Sequence, residues 1–441
     1  MTPRLFGWSL VASLAGFLFG FDTVVISGAE QAIQQLWGLS DFAHGAAVGA
    51  ALWGTVLGAL VGSVPTDRLG RRNTLIGVGV LYFVSAVGSG IAPEVITFAL
   101  ARAVGGVGVG IATVAAPLFI AEISPPARRG LLTCLFQFNI VAGILAAYLS
   151  NALLNGVGPD AWRWMLGVEA IPAAVFTVLA LGLPESPRWL LGRGGRDAEA
   201  LKVLAAVNPT LSPAELDDLA ETIRKAAVET GPRSHFWSRR LRRPIALAFL
   251  IAFFNQLSGI NALLYYAPRV FALAGLGEQA ALLQSVGVGV TMFVFTFVGL
   301  MLIDRLGRKT LLVVGSLGYI VSLGLVAWGF FTDHYAIIPP SIFGFIAAHG
   351  IGQGAVIWVF ISEIFPTRDR AAGQSLGSTT HWVFAALVST TFPSFVGEFG
   401  PGLAFAGFCG MMVLQLVWVI LFVPETRGVP LEALGHKLED A

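Results

Sequence analysis

The chain has 441 residues, 56% of them hydrophobic and only 12% charged, and its mean hydropathy is +0.77. A soluble domain of this length cannot bury that much apolar surface, so lipid must be the main solvent. The formal net charge of +1 leaves no global field to recruit nucleic acid, and the two cysteines, Cys134 and Cys409, lie in apolar runs without metal-ligand spacing and read as small core residues.

In chain order, apolar segments of about 20 residues or longer, each able to cross a hydrocarbon layer of roughly 30 Å, occupy 5–28, 43–65, 73–92, 95–121, 131–154 and 162–183. The first is too long for a secretory signal and lacks a small-residue cleavage pattern. A polar stretch over 184–243 carries 11 basic residues. Within it Ser212, Pro213 and Glu215 supply an N-cap, a first-turn proline and a capping-box glutamate, which predicts a short surface helix after Ser212. A second set of apolar segments follows at 245–268, 280–303, 310–331, 337–362, 372–396 and 402–423. The expectation is an all-α membrane protein of twelve helices in two six-helix bundles. Its units are an N-terminal bundle over 1–183, a cytoplasmic linker over 184–243, a C-terminal bundle over 244–424 and a cytoplasmic tail over 425–441. All but three of the 27 Lys and Arg residues, namely Arg102, Arg163 and Arg269, fall in the N-terminus, the even-numbered loops and the C-terminus. The positive-inside rule then puts both termini in the cytoplasm of a cell membrane.

The two sets repeat. Asp67-Arg-Leu-Gly-Arg-Arg72 returns as Asp304-Arg-Leu-Gly-Arg-Lys309, Glu122-Ile-Ser-Pro125 as Glu363-Ile-Phe-Pro366, and Pro184-Glu185-Ser186 as Pro424-Glu425-Thr426. The three landmarks share a spacing of roughly 240 residues, which marks a parallel duplication of a six-span unit.

Asp22 and Arg102 stand in the middle of spans, where an ionisable residue costs on the order of 2.5 to 3.5 kcal/mol on insertion scales, so a pairing between them is expected, with Glu169 in the sixth span a third such group. The trio fits either a static ion-pair network or a proton switch. Spans seven to twelve hold no Asp, Glu, Lys or Arg near mid-membrane, only His349 and His381, so a charged substrate lacks a counter-ion there. Gln137, Asn255, Gln256 and Asn261 offer amides that donate and accept at once, which suits hydroxyl groups as well as interhelical bonding. Phe19, Trp358 and Trp382 offer aromatic faces that suit a pyranose, core packing or an interface belt. Gln256 and Asn261 diverge in a continuous helix, and a break at Gly259 is expected to bring both to one cavity.

These motifs resemble the sugar porter family of the major facilitator superfamily, which includes proton-coupled pentose and hexose symporters and facilitative glucose transporters. The resemblance covers nearly the whole chain. Besides the paired loops it includes Arg102 with Gly105, Gly106, Gly108 and Gly110, the Glu122 to Gly130 segment, Pro184-Glu-Ser-Pro-Arg188, Gln256-Leu-Ser-Gly-Ile-Asn261, Tyr265-Tyr266 and Pro424-Glu-Thr-Arg-Gly428. It implies alternating access of two bundles around a neutral sugar or polyol, held mainly by residues at the Gln137, Gln256, Asn261 and Trp358 positions. Proton-coupled members carry aspartate and glutamate at the Asp22 and Glu169 positions, so the resemblance implies a proton as coupling ion. It also implies a cytoplasmic latch built from Asp67, Arg71, Glu122 and Arg129 with Asp304, Arg308, Glu363 and Arg370, closed in the outward-open state.

Some positions depart from the family pattern. Asn255 stands where glutamine is usual, Met292 and Ala385 replace polar residues, Phe119 replaces tyrosine, and Gly354-Ala355-Val-Ile357 replaces a proline-bearing segment. Bending of the tenth span is therefore expected to rest on Gly350, Gly352 and Gly354. Gly106-x-Gly108-x-Gly110 follows no strand and reads as close helix packing rather than a dinucleotide site. No nucleophile with base and orienter is visible, so no enzyme and no cofactor or metal is expected. The rival readings are a sugar uniporter without proton movement and a membrane sugar sensor that does not transport.

Overall fold

Inside lipid a backbone N–H or C=O finds no water, so each apolar segment must satisfy itself as a helix. The computed structural model describes residues 2–125, 128–193, 195–228, 236–366 and 369–428. It has twelve helical spans: Pro3–Gly28, Asp41–Val61, Arg71–Ile91, Val95–Ile123, Arg129–Leu154, Ala161–Leu181, Arg239–Leu273, Glu278–Leu306, Arg308–Phe331, Tyr335–Ile364, Arg370–Phe399 and Pro401–Phe422. No strand occurs among the described residues. Each span lies within a few residues of the expected segment, because the helix starts are written locally. Thr2 Oγ1 accepts from the Leu5 N–H at 3.2 Å with Pro3 in the first turn, and Ser40 Oγ accepts from the Ala43 N–H at 3.3 Å.

Close packing within the first six spans depends on small residues. A Cβ on Gly106 would run into the Ala51 carbonyl of span 2, and one on Gly58 into the Val107 carbonyl of span 4, so these glycines set how near the two helices lie. The outward faces are apolar: Leu100, Leu153, Ile171, Val178 and Leu421 are all more than 60% exposed, as lipid contact requires.

The two sets of spans meet at the end remote from the basic loops. There span 2 crosses span 11, with Gly45 and Gly49 against Thr390. Span 5 lies on span 8, with Gly289 against Leu145 and Tyr148. One hydrophobic cluster runs through this junction, from Val25, Val48 and Tyr148 to Tyr265, Phe271 and Trp382.

Three spans are interrupted. Span 6 is tightened at Val168 and Glu169, between helices Ala161–Gly167 and Ala170–Leu181, because Pro172 has no N–H for the Val168 carbonyl and Ile171 supplies one at 3.1 Å. Span 7 breaks at Gly259, whose φ of +80° is left-handed, between Arg242–Leu257 and Ile260–Leu273. Span 10 breaks at Gly352, between Ile338–Ile351 and Gln353–Ile364. The expected bend there thus falls on the middle one of the three candidate glycines.

Three further helices, Pro187–Arg193, Asp197–Val207 and Pro213–Val228, fill the described part of the linker and bury Leu190, Leu204 and Ile223 against one another. Residues 229–235 of the linker and 429–441 of the tail lie outside the described residues. The two cysteines form no disulfide, and Cys134 corrects the reading of both as core residues. It is exposed, and it lies on the same side of span 5 as Phe138, whose ring meets Phe293 of span 8 at 5.2 Å, so this stripe faces the other half.

The capping box after Ser212 is present: the Ser212 N–H donates to Glu215 Oε2 at 2.7 Å and the Glu215 N–H to Ser212 Oγ at 3.4 Å. The first of these bonds holds the Glu215 carboxyl below the usual carboxylate range. A depressed folded-state value means that the cap is complete above the unfolded glutamate range and is lost as pH falls through the lowered value. Ser212→Ala is expected to speed amide exchange in the first turn of Pro213–Val228 by about fivefold, the equivalent of about 1 kcal/mol, read by hydrogen–deuterium exchange at neutral pH.

Candidate functional site

The first six spans place their ionisable groups together. Arg102 of span 4 donates from Nη1 to Asp22 Oδ1 at 2.6 Å and from Nη2 to the Asp22 carbonyl at 2.8 Å. Both residues and Glu169 are 1% exposed. Glu169 stands at the tightened point of span 6, within electrostatic reach of both. Its Oε1, the Arg102 Nε and the hydroxyls of Tyr82 and Ser85 are buried without a hydrogen-bond partner. The cluster thus has spare donors and acceptors around a single tight pair. Tyr82 of span 3, which lies in the field of Asp22 and Glu169, was not among the candidates from sequence; a tyrosine in an apolar run carries no signal of which helix it faces.

Opposite, the break at Gly259 brings the span 7 amides into one chain. Asn261 Nδ2 donates to Gln256 Oε1 at 2.8 Å, and Gln256 Nε2 donates to Asn255 Oδ1 at 2.8 Å and lies 3.1 Å from His381 Nδ1. Asn255 Nδ2 reaches Gln353 Oε1 at 3.5 Å, Gln353 Nε2 donates to Gln415 Oε1 at 2.9 Å, and Gln415 Nε2 donates to Ser316 Oγ at 2.8 Å. This relay fixes which end of each amide faces which neighbour, a form of preorganisation. The His381 ring sits between Trp358 and Trp382, with centroids at 5.1 and 4.8 Å, and Phe19 of span 1 meets Trp382 edge-on at 5.4 Å. Six of the seven expected substrate-side residues, all but Gln137, therefore fall in two contacting sets joined through His381. Gln137 is half-buried on span 5 and makes no hydrogen bond among the described residues. His381 is the residue that sequence reasoning undervalued, since it stood out only as one of two histidines near mid-membrane. Met292 and Ala385 are both buried.

At the basic-loop end each half carries the same ion cluster. Arg71 donates from Nε and Nη2 to the two oxygens of Glu122, both at 2.9 Å, and from Nη1 to Asp67 Oδ1 at 3.3 Å. Arg308 does the same to Glu363 at 3.1 and 2.7 Å and to Asp304 Oδ1 at 2.9 Å. Such two-pronged pairing is specific to guanidinium. Arg129 donates instead to the Ala121 carbonyl at 3.1 Å, and Arg370 begins span 11.

The duplicated Pro-Glu-Ser/Thr motif completes each cluster. Glu185 accepts from the Arg71 N–H at 2.8 Å and Glu425 from the Arg308 N–H at 2.9 Å, so each carboxylate caps the N-terminus of span 3 or span 9. Ser186 and Thr426 donate their hydroxyls to Glu122 and Glu363. Burial pushes the Glu185 carboxyl up, and the N–H groups of Ser186, Arg72 and Arg71 pull it back. These four residues were read from sequence as repeat landmarks; their roles depend on contacts across 63 to 117 residues that sequence spacing does not reveal.

A family model described as "Sugar (and other) transporter" matches residues 8–438. The chain belongs to that family. This family member is 36% identical to a D-xylose transporter of Levilactobacillus brevis, over 97% of this chain and 94% of the relative. It is 33% identical to an arabinose-proton symporter of Bacillus subtilis, over 97% and 93%. Among solved structures, the inward-open conformation of the xylose transporter XylE from E. coli superposes with a TM-score of 0.87 at 32% identity, covering 98% of this chain and 99% of that one. The XylE structure bound to 6-bromo-6-deoxy-D-glucose gives 0.81, covering 99% of each chain. The major facilitator fold is thereby established, and the higher score with the inward-open form agrees with two halves that touch at the end remote from the basic loops.

Gly259→Ala is expected to lower stability by about 1–2 kcal/mol, since a left-handed φ penalises any Cβ, and the added carbon also collides with Phe408. A thermal melt of the purified protein checks this; an unchanged midpoint would mean that span 7 straightens without cost.

Proposed function

We propose that this chain carries a neutral pentose, hexose or polyol across a cell membrane by alternating access, together with a proton. Both termini are cytoplasmic in this reading, in agreement with the basic loops. The unit boundaries at 183, 243 and 424 follow the span sets, with 184–243 as a cytoplasmic linker and 425–441 as a cytoplasmic tail. The observation that carries the proposal is the buried Asp22–Arg102 pair with Glu169 beside it, facing an amide and aromatic wall without a formal charge. Removing one partner of a buried ion pair costs about 3–5 kcal/mol, so such a pair persists only if both charges stay together or if one is neutralised on cue. Opening changes the hydration and separation of the pair, and protonation of Asp22 frees Arg102, so proton occupancy and conformation are linked.

In this reading Gln256, Asn261 and Gln137 bond the sugar hydroxyls, Asn255 supports Gln256, and Phe19, Trp358 and Trp382 cover the apolar ring face. Arg71–Glu122 and Arg308–Glu363, with Asp67, Asp304, Arg129 and Arg370, form the cytoplasmic gate of each bundle. The relatives named for arabinose, xylose, glucose and galactose support a monosaccharide as the substrate class.

Two measurements test this. Addition of the transported sugar to de-energised cells is expected to alkalinise the medium; demonstrated uptake without alkalinisation would make the protein a uniporter. Asp22→Asn is expected to abolish accumulation against a gradient while keeping exchange of labelled for unlabelled sugar in proteoliposomes. Loss of both activities in a folded variant would assign the pair a structural role.

A further inference from the structure

A second ionic cluster lies at the opposite end of the molecule from the basic loops, and the mechanism above makes no use of it. Glu30, in helix Glu30–Leu36 after span 1, and His44, near the start of span 2, are both 0% exposed. Their side chains meet at 2.7 Å, Nε2 to Oε2. From the other half, Arg269 near the end of span 7 donates from Nε to Glu30 Oε1 at 3.0 Å and from Nη2 to Glu30 Oε2 at 2.7 Å, and Gln34 Oε1 accepts from the same Nη2. Glu30 is thus shared between an imidazole on its own half and a guanidinium on the other. Arg269 Nη2 also lies only 3.4 Å from His44 Nε2.

The surroundings of His44 narrow what can happen there. Besides Glu30 and Arg269, Tyr266 of span 7 faces the imidazole at a centroid distance of 6.1 Å. Asp41, one turn earlier on the same span, is held by Gln34 Nε2 at 2.9 Å. Span 11 presents Thr390 to Gly45 and Gly397 to Asp41, with Glu398 exposed beyond it. Arg102 of span 4 is engaged by Asp22. His44 Nδ1 is buried without a partner, so a doubly protonated ring would bury an unpaired N–H beside a guanidinium. The closed junction is therefore matched to a neutral His44 that donates from Nε2 to Glu30. Once Arg269 departs with its half, one carboxylate is left with the imidazole, and water reaches Nδ1.

We propose that Glu30, His44 and Arg269 form a second proton-binding site, an outer gate in which a proton on His44 and the Arg269 guanidinium compete for the Glu30 carboxylate. Arg269 on Glu30 holds the outer ends together; an imidazolium on Glu30 replaces it and lets them part. Linkage is reciprocal, so an acidic outer solution favours opening to that side. The proposal rests on the alternating-access reading for its meaning, but its test uses neither sugar nor flux.

The experiment is hydrogen–deuterium exchange on the full chain in lipid nanodiscs at about pH 5.5 and about pH 8, on either side of the ordinary histidine range, with rates corrected for intrinsic exchange. In the unaltered protein, acidification is expected to speed exchange over residues 260–273 by at least about fivefold, the lower end of a typical allosteric coupling. Arg269→Gln is expected to show the fast pattern at both pH values, Arg269→Lys to restore most of the protection at pH 8, and His44→Gln to stay slow at both. Retention of the pH response in His44→Gln, or unaltered-protein protection in Arg269→Gln at pH 8, would overturn the proposal. Sugar flux measured on the same preparations tests the transport reading separately, so either can fail while the other stands.

Discussion

A lipid-embedded chain must pair its backbone polar groups within the protein, and several irregularities in this structure are covered accordingly. Pro268 has no N–H for the Leu264 carbonyl, and the Tyr148 hydroxyl from the other half takes its place at 2.7 Å. Pro393 leaves the Ser389 carbonyl free in the same way, and the Tyr266 hydroxyl donates to it at 3.1 Å. The Tyr148 bond crosses between the halves, so a proline that would only weaken a soluble helix here creates a contact point. Breaks at Gly259 and Gly352 are likewise confined to the interior, beside the amide relay that they help to align.

Charge follows the same rule. The loops are symmetric between the halves, down to Glu185 and Glu425 capping spans 3 and 9 and to Ser186 and Thr426 bonding Glu122 and Glu363. The mid-membrane residues are not. The first half concentrates Asp22, Arg102 and Glu169, and the second concentrates neutral amides and histidines. The two halves thus share the parts that hold each bundle together and differ near mid-membrane, where one carries carboxyl and guanidinium groups and the other amides and imidazoles. That division suits the proposed coupling: the group proposed to exchange a proton lies in the first half, most of the groups proposed to bond a sugar lie in the second, and motion between the halves links them.

Much of this was legible in the sequence, for identifiable reasons. Span limits, the capping box at Ser212 and the break at Gly259 are set by neighbouring residues, and the repeat marked Arg71, Glu122, Arg308 and Glu363 as matching positions without saying which of them pair. What escaped depends on which helix faces meet across distant stretches of chain. His381 bridging Gln256 and the tryptophans, Tyr82 beside Asp22, and Arg269 on Glu30 are all of this kind. Cys134 was misread because an apolar run does not say whether a residue is buried or exposed. The resemblance puts Arg129 in the latch, and here its Nε donates to the Ala121 carbonyl.

The placement of the cross-half contacts has a mechanical corollary. Span 11 is 30 residues long, about 45 Å at 1.5 Å per residue, and it is held against span 2 near one extremity. It is therefore a lever with its fulcrum close to Thr390. A tilt of about 10° about that fulcrum, along a rod of this length, sweeps the far tip through several ångströms, the width of a small ring-shaped solute. Substantial passage at one face thus needs only slight sliding at the other, where glycines and alanines present surfaces smooth enough to permit it.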